Sequence, residues 1–274
     1  MYIICSKAEI STLLCFDLNT LVVKWKCDVT SKPYISGPIT IFENSIACHG
    51  CDKLLFIDPN SGKFLSSIHI SRAGKLFCPI RLDEEHLAIG YTNWSNAGIL
   101  VYNTVSEKVK WKTVRRFEGP LLRCCIYKRD NNLYWVKNDR ELICVDKNNG
   151  TELFSIPTSP WLYTDLCFEG NKILFGTSGA DGSLNCIQSD TGERIWEIPL
   201  KNGCAYFGKY NNSIIVGDYS ETIKQIDIES GAILQEMQTE GKVIGQLTVS
   251  DNDIYTVIWG GKDQKAEIIK AAIF

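Results

Sequence analysis

One motif returns six times along this chain at a nearly constant interval, and that periodicity restricts the fold more than any other feature. Each copy is a short apolar run that ends in an acidic or amide residue. A turn follows, often closed by Gly, and in most copies an aromatic stands eight residues beyond the anchor. The copies are Leu13-Leu14-Cys15-Phe16-Asp17 with Trp25, Leu54-Leu55-Phe56-Ile57-Asp58 with Gly62, and Ile99-Leu100-Val101-Tyr102-Asn103 with Trp111. The other three are Leu142-Ile143-Cys144-Val145-Asp146 with Gly150 and Phe154, Leu184-Asn185-Cys186-Ile187-Gln188 with Gly192 and Trp196, and Ile223-Lys224-Gln225-Ile226-Asp227 with Gly231. The anchors at 17, 58, 103, 146, 188 and 227 are 41, 45, 43, 42 and 39 residues apart.

The residue types explain the pattern. A strand ends at the Asp, whose carboxylate closes an Asx-type turn, and Gly supplies a positive φ before the next strand begins. The aromatic is expected to pack on the following strand. Two further strand-like runs precede each anchor, as in Pro38-Ile39-Thr40-Ile41-Phe42 followed by Ser45-Ile46-Ala47-Cys48. Each period therefore holds four short strands, here A to D, with no helical periodicity between them, which is the signature of a propeller blade. The expected fold is all-β: one propeller domain over residues 1–274 with about seven four-stranded antiparallel blades, the count lying between six and eight. A seventh unit starts at Val243-Ile244-Gly245 and has no D strand, while the first has no A strand. Ring closure between these partial blades would remove exposed sheet edges.

The Asp-x-x-Thr-Gly-x-x-x-Trp form resembles the pyrroloquinoline-quinone-like propeller repeat, which is found in quinoprotein dehydrogenases and in many non-catalytic scaffolds. The resemblance is clearest at Asp190-Thr191-Gly192-Glu193-Arg194-Ile195-Trp196 and at Asp58-Pro59-Asn60-Ser61-Gly62. It weakens where Leu21 and Glu107 replace the usual Gly and where Ser66 and Gln235 replace the usual Trp. Enzymes of that family also imply a calcium-ligand set with a catalytic base, and some carry a vicinal disulfide over the cofactor. No such Glu, Asn and Asp set is identifiable, and Cys124-Cys125 falls in Leu121-Leu122-Arg123-Cys124-Cys125-Ile126-Tyr127, which reads as an inner A strand. The resemblance thus points to the non-catalytic branch, with a small quinoprotein-like oxidoreductase as the alternative.

Composition narrows the partners. The net charge of −3 argues against a broad electrostatic grip on nucleic acid or anionic lipid. No apolar stretch reaches the roughly 20 residues that span a bilayer. Met1-Tyr2-Ile3-Ile4-Cys5-Ser6-Lys7 has neither the basic start nor the continuous apolar run of a secretory signal, so a cytoplasmic location is expected. The twelve Cys sit mainly inside strand-like runs and read as reduced, buried, small hydrophobes.

Other constellations carry little chemistry. Cys48-His49-Gly50-Cys51 offers half a zinc site but no second half, and reads as a strand end with a polar B–C turn over His49 to Asp52. Gly176 to Gly182 lies between two strands, so no helix N-terminus is present to hold a phosphate. Lys108, Lys110 and Lys112, followed by Arg115 and Arg116, alternate with Val109, Trp111 and Val114 as an outer strand with one solvated face. No cofactor, metal or catalytic residue is expected.

What remains is the rim on which the D–A and B–C loops meet. Tyr34, Arg72, Arg116, Phe117, Trp161 and Tyr163 come from D–A loops; His49, Trp94, Lys137, Arg140, Asp218 and Tyr219 come from B–C loops. Trp, Tyr and Arg dominate binding hot spots, and here core packing does not demand them. The expected partner is another protein, with a toxin or an enzyme among the candidates. The chain, monomeric when free, would serve as an intracellular adaptor or as an inhibitor of the immunity-protein type.

Overall fold

The motif turns hold their expected geometry one after another. In the computed structural model, Oδ1 of Asp17 accepts the N–H groups of Asn19 and Thr20, and that of Asp58 accepts Asn60 and Ser61. Asn103 accepts Val105 and Ser106, Asp146 accepts Asn148 and Asn149, and Asp227 accepts Ser230. Four residues past the anchor the backbone turns left-handed, with φ of 70° at Gly62, 74° at Gly150, 74° at Gly192 and 72° at Gly231. The structure describes all residues except 1, 8–9, 18, 21, 31–38, 43, 51–52, 71–73, 94, 117–124, 138–139, 159–160, 163, 202, 245–246, 251, 261–264 and 274.

The described residues form antiparallel sheets and no helix. Blade 1 comprises Tyr2–Lys7, Ile10–Phe16 and Val23–Thr30. Blade 2 comprises Thr40–Ile41, Ile46–Gly50, Lys53–Ile57 and Phe64–His69. Blade 3 runs Lys75–Arg81, His86–Asn93, Asn96–Asn103 and Lys108–Lys112, with Arg115–Arg116 returning onto Asn96–Ala97. Blade 4 runs Ile126–Arg129, Asn132–Lys137, Glu141–Asp146 and Glu152–Pro157. In blade 5 both Trp161–Leu162 and Cys167–Glu169 pair with Lys172–Ser178, and Ser183–Gln188 and Arg194–Pro199 follow. Blade 6 is Cys204–Tyr210, Ser213–Asp218, Thr222–Asp227 and Ile233–Gln238. Blade 7 has Gly241–Val243 and Thr248–Ser250 on Asp253–Gly260, which pairs outward with Lys265–Ala272.

The chain divides into two compact units, residues 1–138 with 143–152 and residues 139–142 with 153–274. In the first, one apolar cluster joins Phe77, Ala88, Ile99, Leu133, Trp135 and Val145. In the second, another joins Leu174, Leu184, Cys186, Phe207, Ile214 and Val216. The strand patterns show why. B and C strands such as His86–Asn93 and Asn96–Asn103 are buried along nearly their whole length, since both faces are covered, and they read as continuous apolar runs. D strands such as Phe64–His69 and Ile233–Gln238 are almost wholly exposed, and Lys108, Lys110 and Lys112 form the expected solvated outer strand.

The motif aromatics differ from expectation, because they reach past their own blade to the turn of the next repeat. A methyl carbon on Gly62 would lie 2.5 Å from the Trp25 ring, on Gly150 2.6 Å from Trp111, on Gly192 2.6 Å from Phe154, and on Gly231 2.8 Å from Trp196. Each indole also donates its N–H to the carbonyl one residue past the next anchor: Trp25 to Pro59 at 3.0 Å, Trp111 to Lys147 at 3.1 Å and Trp196 to Ile228 at 3.0 Å. Gly at this position therefore answers two demands, a left-handed backbone and a flat surface for the neighbouring ring.

Two other expectations need correction. His49 does not belong to a turn: it pairs with Leu54, and the strand continues to Gly50, which pairs with Lys53. Cys125 is not in the A strand of blade 4, which begins at Ile126; it is half-buried, and Cys124 lies outside the described residues.

Candidate functional site

The B–C turns of blades 4, 5 and 6 are tied to the chain leaving their own D strands by equivalent backbone bonds. Thr158 N–H donates to Arg140 O at 2.7 Å, Leu200 N–H to Gly182 O at 2.9 Å, and Thr239 N–H to Glu221 O at 2.7 Å. Thr158, Leu200 and Thr239 are all buried, so each crossover is pinned before it enters the next A strand. This is what positions Arg140 and Trp161 together. Arg140 occupies the blade 4 turn, and three residues beyond Thr158 the short strand Trp161–Leu162 pairs with Ser178 and Thr177. Strand alternation buries Leu162 and turns Trp161 outward, 47% exposed. The Arg140 guanidinium lies over the indole with its carbon 5.7 Å from the ring centroid. Such a pair contributes about 0.5–1 kcal/mol at an exposed site and holds both side chains in a defined attitude.

The other expected rim residues separate into distinct environments. Arg116 is exposed in its two-residue strand and pairs with Asn96, while the neighbouring Arg115 forms an ion pair with Glu152. Lys137 ends the B strand of blade 4 and Tyr219 sits in the blade 6 turn, both half-buried. Asp218 departs from the expectation of an exposed contact. Its side chain is 1% exposed and its carboxylate accepts Ser220 Oγ at 2.5 Å, Thr222 Oγ1 at 3.1 Å and Lys224 Nζ at 3.4 Å. A carboxylate can be this deeply buried because both oxygens have partners, Oδ1 from Ser220 and Thr222 and Oδ2 from Lys224. Tyr34, Arg72, Trp94, Phe117 and Tyr163, and the His49 side chain, lie outside the described residues.

The blade 5 turn carries a second buried polar network that the sequence reading passed over. Ser183 N–H donates to Thr177 Oγ1 at 2.9 Å, Asn185 Nδ2 donates to Ser183 Oγ at 2.9 Å, and Ser183 Oγ reaches Glu197 at 2.8 Å. Its signal was the polar residues Thr177, Ser183 and Asn185 within otherwise apolar strands. In both turns these side chains bond to one another, and among the described rim residues of the second unit Arg140 and Trp161 are exposed as a pair.

Among the described residues no group of three or more His, Cys, Asp or Glu side chains is gathered as a metal site. Burial pushes the thiols of Cys48 and Cys144 up to about 12, with Cys27 adding to the effect at Cys48, and that of Cys186 up to about 11. At neutral pH these are thiols, not nucleophilic thiolates.

A family model of PQQ-type repeats, described as outer membrane protein assembly factor BamB, matches residues 103–203 and 180–269, more than half of the chain. The chain belongs to this PQQ-type propeller repeat family. The solved structure of BamB from Moraxella catarrhalis is similar with a TM-score of 0.62 and 19% identity, over 97% of this chain and 80% of that one. The computationally designed protein Ika8 is similar with a TM-score of 0.64 and 16% identity, over 97% of this chain and 81% of that one. No curated protein matches the chain in sequence. The fold class is a β-propeller, and the motif turns and ring-on-glycine contacts described above are the repeat unit of this family member.

Proposed function

We propose that this PQQ-type propeller is a protein-binding module that performs no chemistry of its own, acting in the cytoplasm as a monomeric adaptor or as an inhibitor of the immunity type that covers a toxin or an enzyme. The observation that carries the reading is the Arg140–Trp161 pair: an exposed indole under a guanidinium, on a rim whose backbone is fixed by Thr158 and whose neighbouring polar groups are already satisfied. Trp and Arg are the side chains through which interfaces gain most of their affinity, and a rigid support lowers the entropic cost of using them. The description of the family as an assembly factor agrees with work done by contact between proteins.

The test compares proteins captured from native lysate by the wild-type chain and by Arg140→Ala/Trp161→Ala. The variant is expected to melt within a few degrees of the wild type, because both side chains are exposed, yet to weaken capture of the specific partner by at least about 2 kcal/mol. Equal capture by both proteins would move the interface away from this rim.

A further inference from the structure

The junction of blades 2 and 3 breaks the ring-on-glycine pattern on both sides at once. Ser66 stands opposite Phe56 in the register that places Trp25 opposite Cys15, Trp111 opposite Val101 and Trp196 opposite Cys186. The turn it should meet carries Glu107, at φ 55°, where four other turns carry Gly. The turn keeps its form all the same, with Asn103 Oδ1 accepting Val105 N–H at 3.0 Å and Ser106 N–H at 2.6 Å. Without the ring there is a cavity of about 340 Å³, lined by Phe56, Ser66, Ile68, Tyr102, Thr104 and Glu107 among others. The Thr104 carbonyl holds the place of the Pro59, Lys147 and Ile228 carbonyls, one residue past the anchor, and no described group donates to it. Val105, next to Thr104 in the turn, is 73% exposed, so an apolar side chain stands beside the mouth.

We propose that this cavity is a docking socket for a tryptophan side chain carried by a partner protein. The chain itself defines what fits: at three equivalent junctions an indole lies on the turn and donates its N–H to the turn carbonyl. The volume falls at the lower end of the roughly 300–1,000 Å³ of ligand sites. The Glu107 Cβ keeps an incoming ring off the turn backbone, so the ring lies outward, against Phe56 and Tyr102, with its N–H toward the Thr104 carbonyl or the Glu107 carboxylate. A second copy of the chain is a poorer occupant. Among the described residues the exposed indoles are Trp161, already engaged by Arg140, and Trp259, so a second copy would have to give up the Arg140 contact or insert a ring held within a four-stranded sheet. The socket does not depend on the Arg140–Trp161 rim, and either surface can fail without the other.

The test is titration of the full chain with N-acetyl-L-tryptophanamide, followed by the backbone amide resonances of Val105, Ser106 and Glu107. Saturable shifts are expected with this probe and not with N-acetyl-L-leucinamide. Ser66→Gln, which installs the side chain found at the equivalent Gln235, should weaken the response about tenfold or more. Ser66→Trp/Glu107→Gly, which rebuilds the internal ring and its glycine, should abolish the response and raise the melting temperature. The proposal is overturned by absence of saturable shifts at millimolar probe, by shifts unchanged in Ser66→Gln, or by a lower melting temperature in the double variant, which would mean that Phe56 already fills the space. Concentration-dependent broadening without probe that Ser66→Gln removes would also overturn it, by assigning the socket to a second copy.

Discussion

Replacing Gly150 by Ala tests whether the rings and turns of successive repeats are coupled as the structure implies. Two costs arise. At φ 74° an Ala pays the left-handed penalty of about 1–2 kcal/mol, offset by about 0.4–1 kcal/mol because the unfolded chain has less freedom to lose. The added methyl also falls 2.6 Å from Trp111 Cε3 and 2.9 Å from Cζ3, so the indole must move by most of an ångström. Overpacking of this kind costs about 1–3 kcal/mol, and displacement strains the 3.1 Å bond to Lys147 O. The expected sum is about 2–4 kcal/mol, a fall in melting temperature on the order of 5–15 °C by thermal circular dichroism. The decisive measurement is a double-mutant cycle with Trp111→Ala. Once the ring is gone only the backbone term remains, so Gly150→Ala should be milder by about 1–3 kcal/mol in that background. Equal cost in both backgrounds would show that the ring does not rest on the glycine. Glu107 supplies the converse: with no ring above it, Glu107→Gly relieves the left-handed strain and should stabilise by up to about 1 kcal/mol.

Other outcomes follow from single sites. Hydrogen bonds hold the carboxyls of Asp17, Asp58 and Asp227 below the ordinary range, Asp17 at about 2 beside Lys24. A depressed folded pKa gives stability that is full above the unfolded value near ~3.9 and is lost as pH falls through the folded value, so acid unfolding should begin below about pH 4 and be shallower in Asp58→Asn/Asp227→Asn, whose amides still cap the turns. Cys48, Cys144 and Cys186 should react slowly with a disulfide reagent at pH 8 in the native state and at once in denaturant; fast native labelling of all three would contradict their burial. Asp218→Ala leaves Lys224, 14% exposed, without its nearest counter-charge and should cost about 3 kcal/mol in chemical denaturation, an effect absent if the turn carboxylate were an exposed contact.

The sequence by itself determined the repeat, the strand count per repeat and the chemistry of each turn. Those are local matters: an Asp or Asn that accepts the next two or three N–H groups, a Gly that turns left-handed, and a run of apolar residues acting through near neighbours at fixed spacing. The apolar B and C strands and the lysine-edged strand Lys108–Lys112 were legible for the same reason. Only the tertiary structure showed that Trp25, Trp111, Phe154 and Trp196 belong to the turn of the following repeat. That contact joins residues 32 or more positions apart, and spacing within one motif cannot reveal it. It also made sense of the exceptions, since Ser66 and Glu107 look like independent lapses along the chain but are the two halves of one vacant contact in space. The rim divided in the same way. Trp161 was identifiable as an unneeded aromatic, but its pairing with Arg140 and the burial of Asp218 depend on how a crossover folds back over a turn. A carboxylate in a polar turn reads as exposed until the hydrogen bonds that bury it are seen.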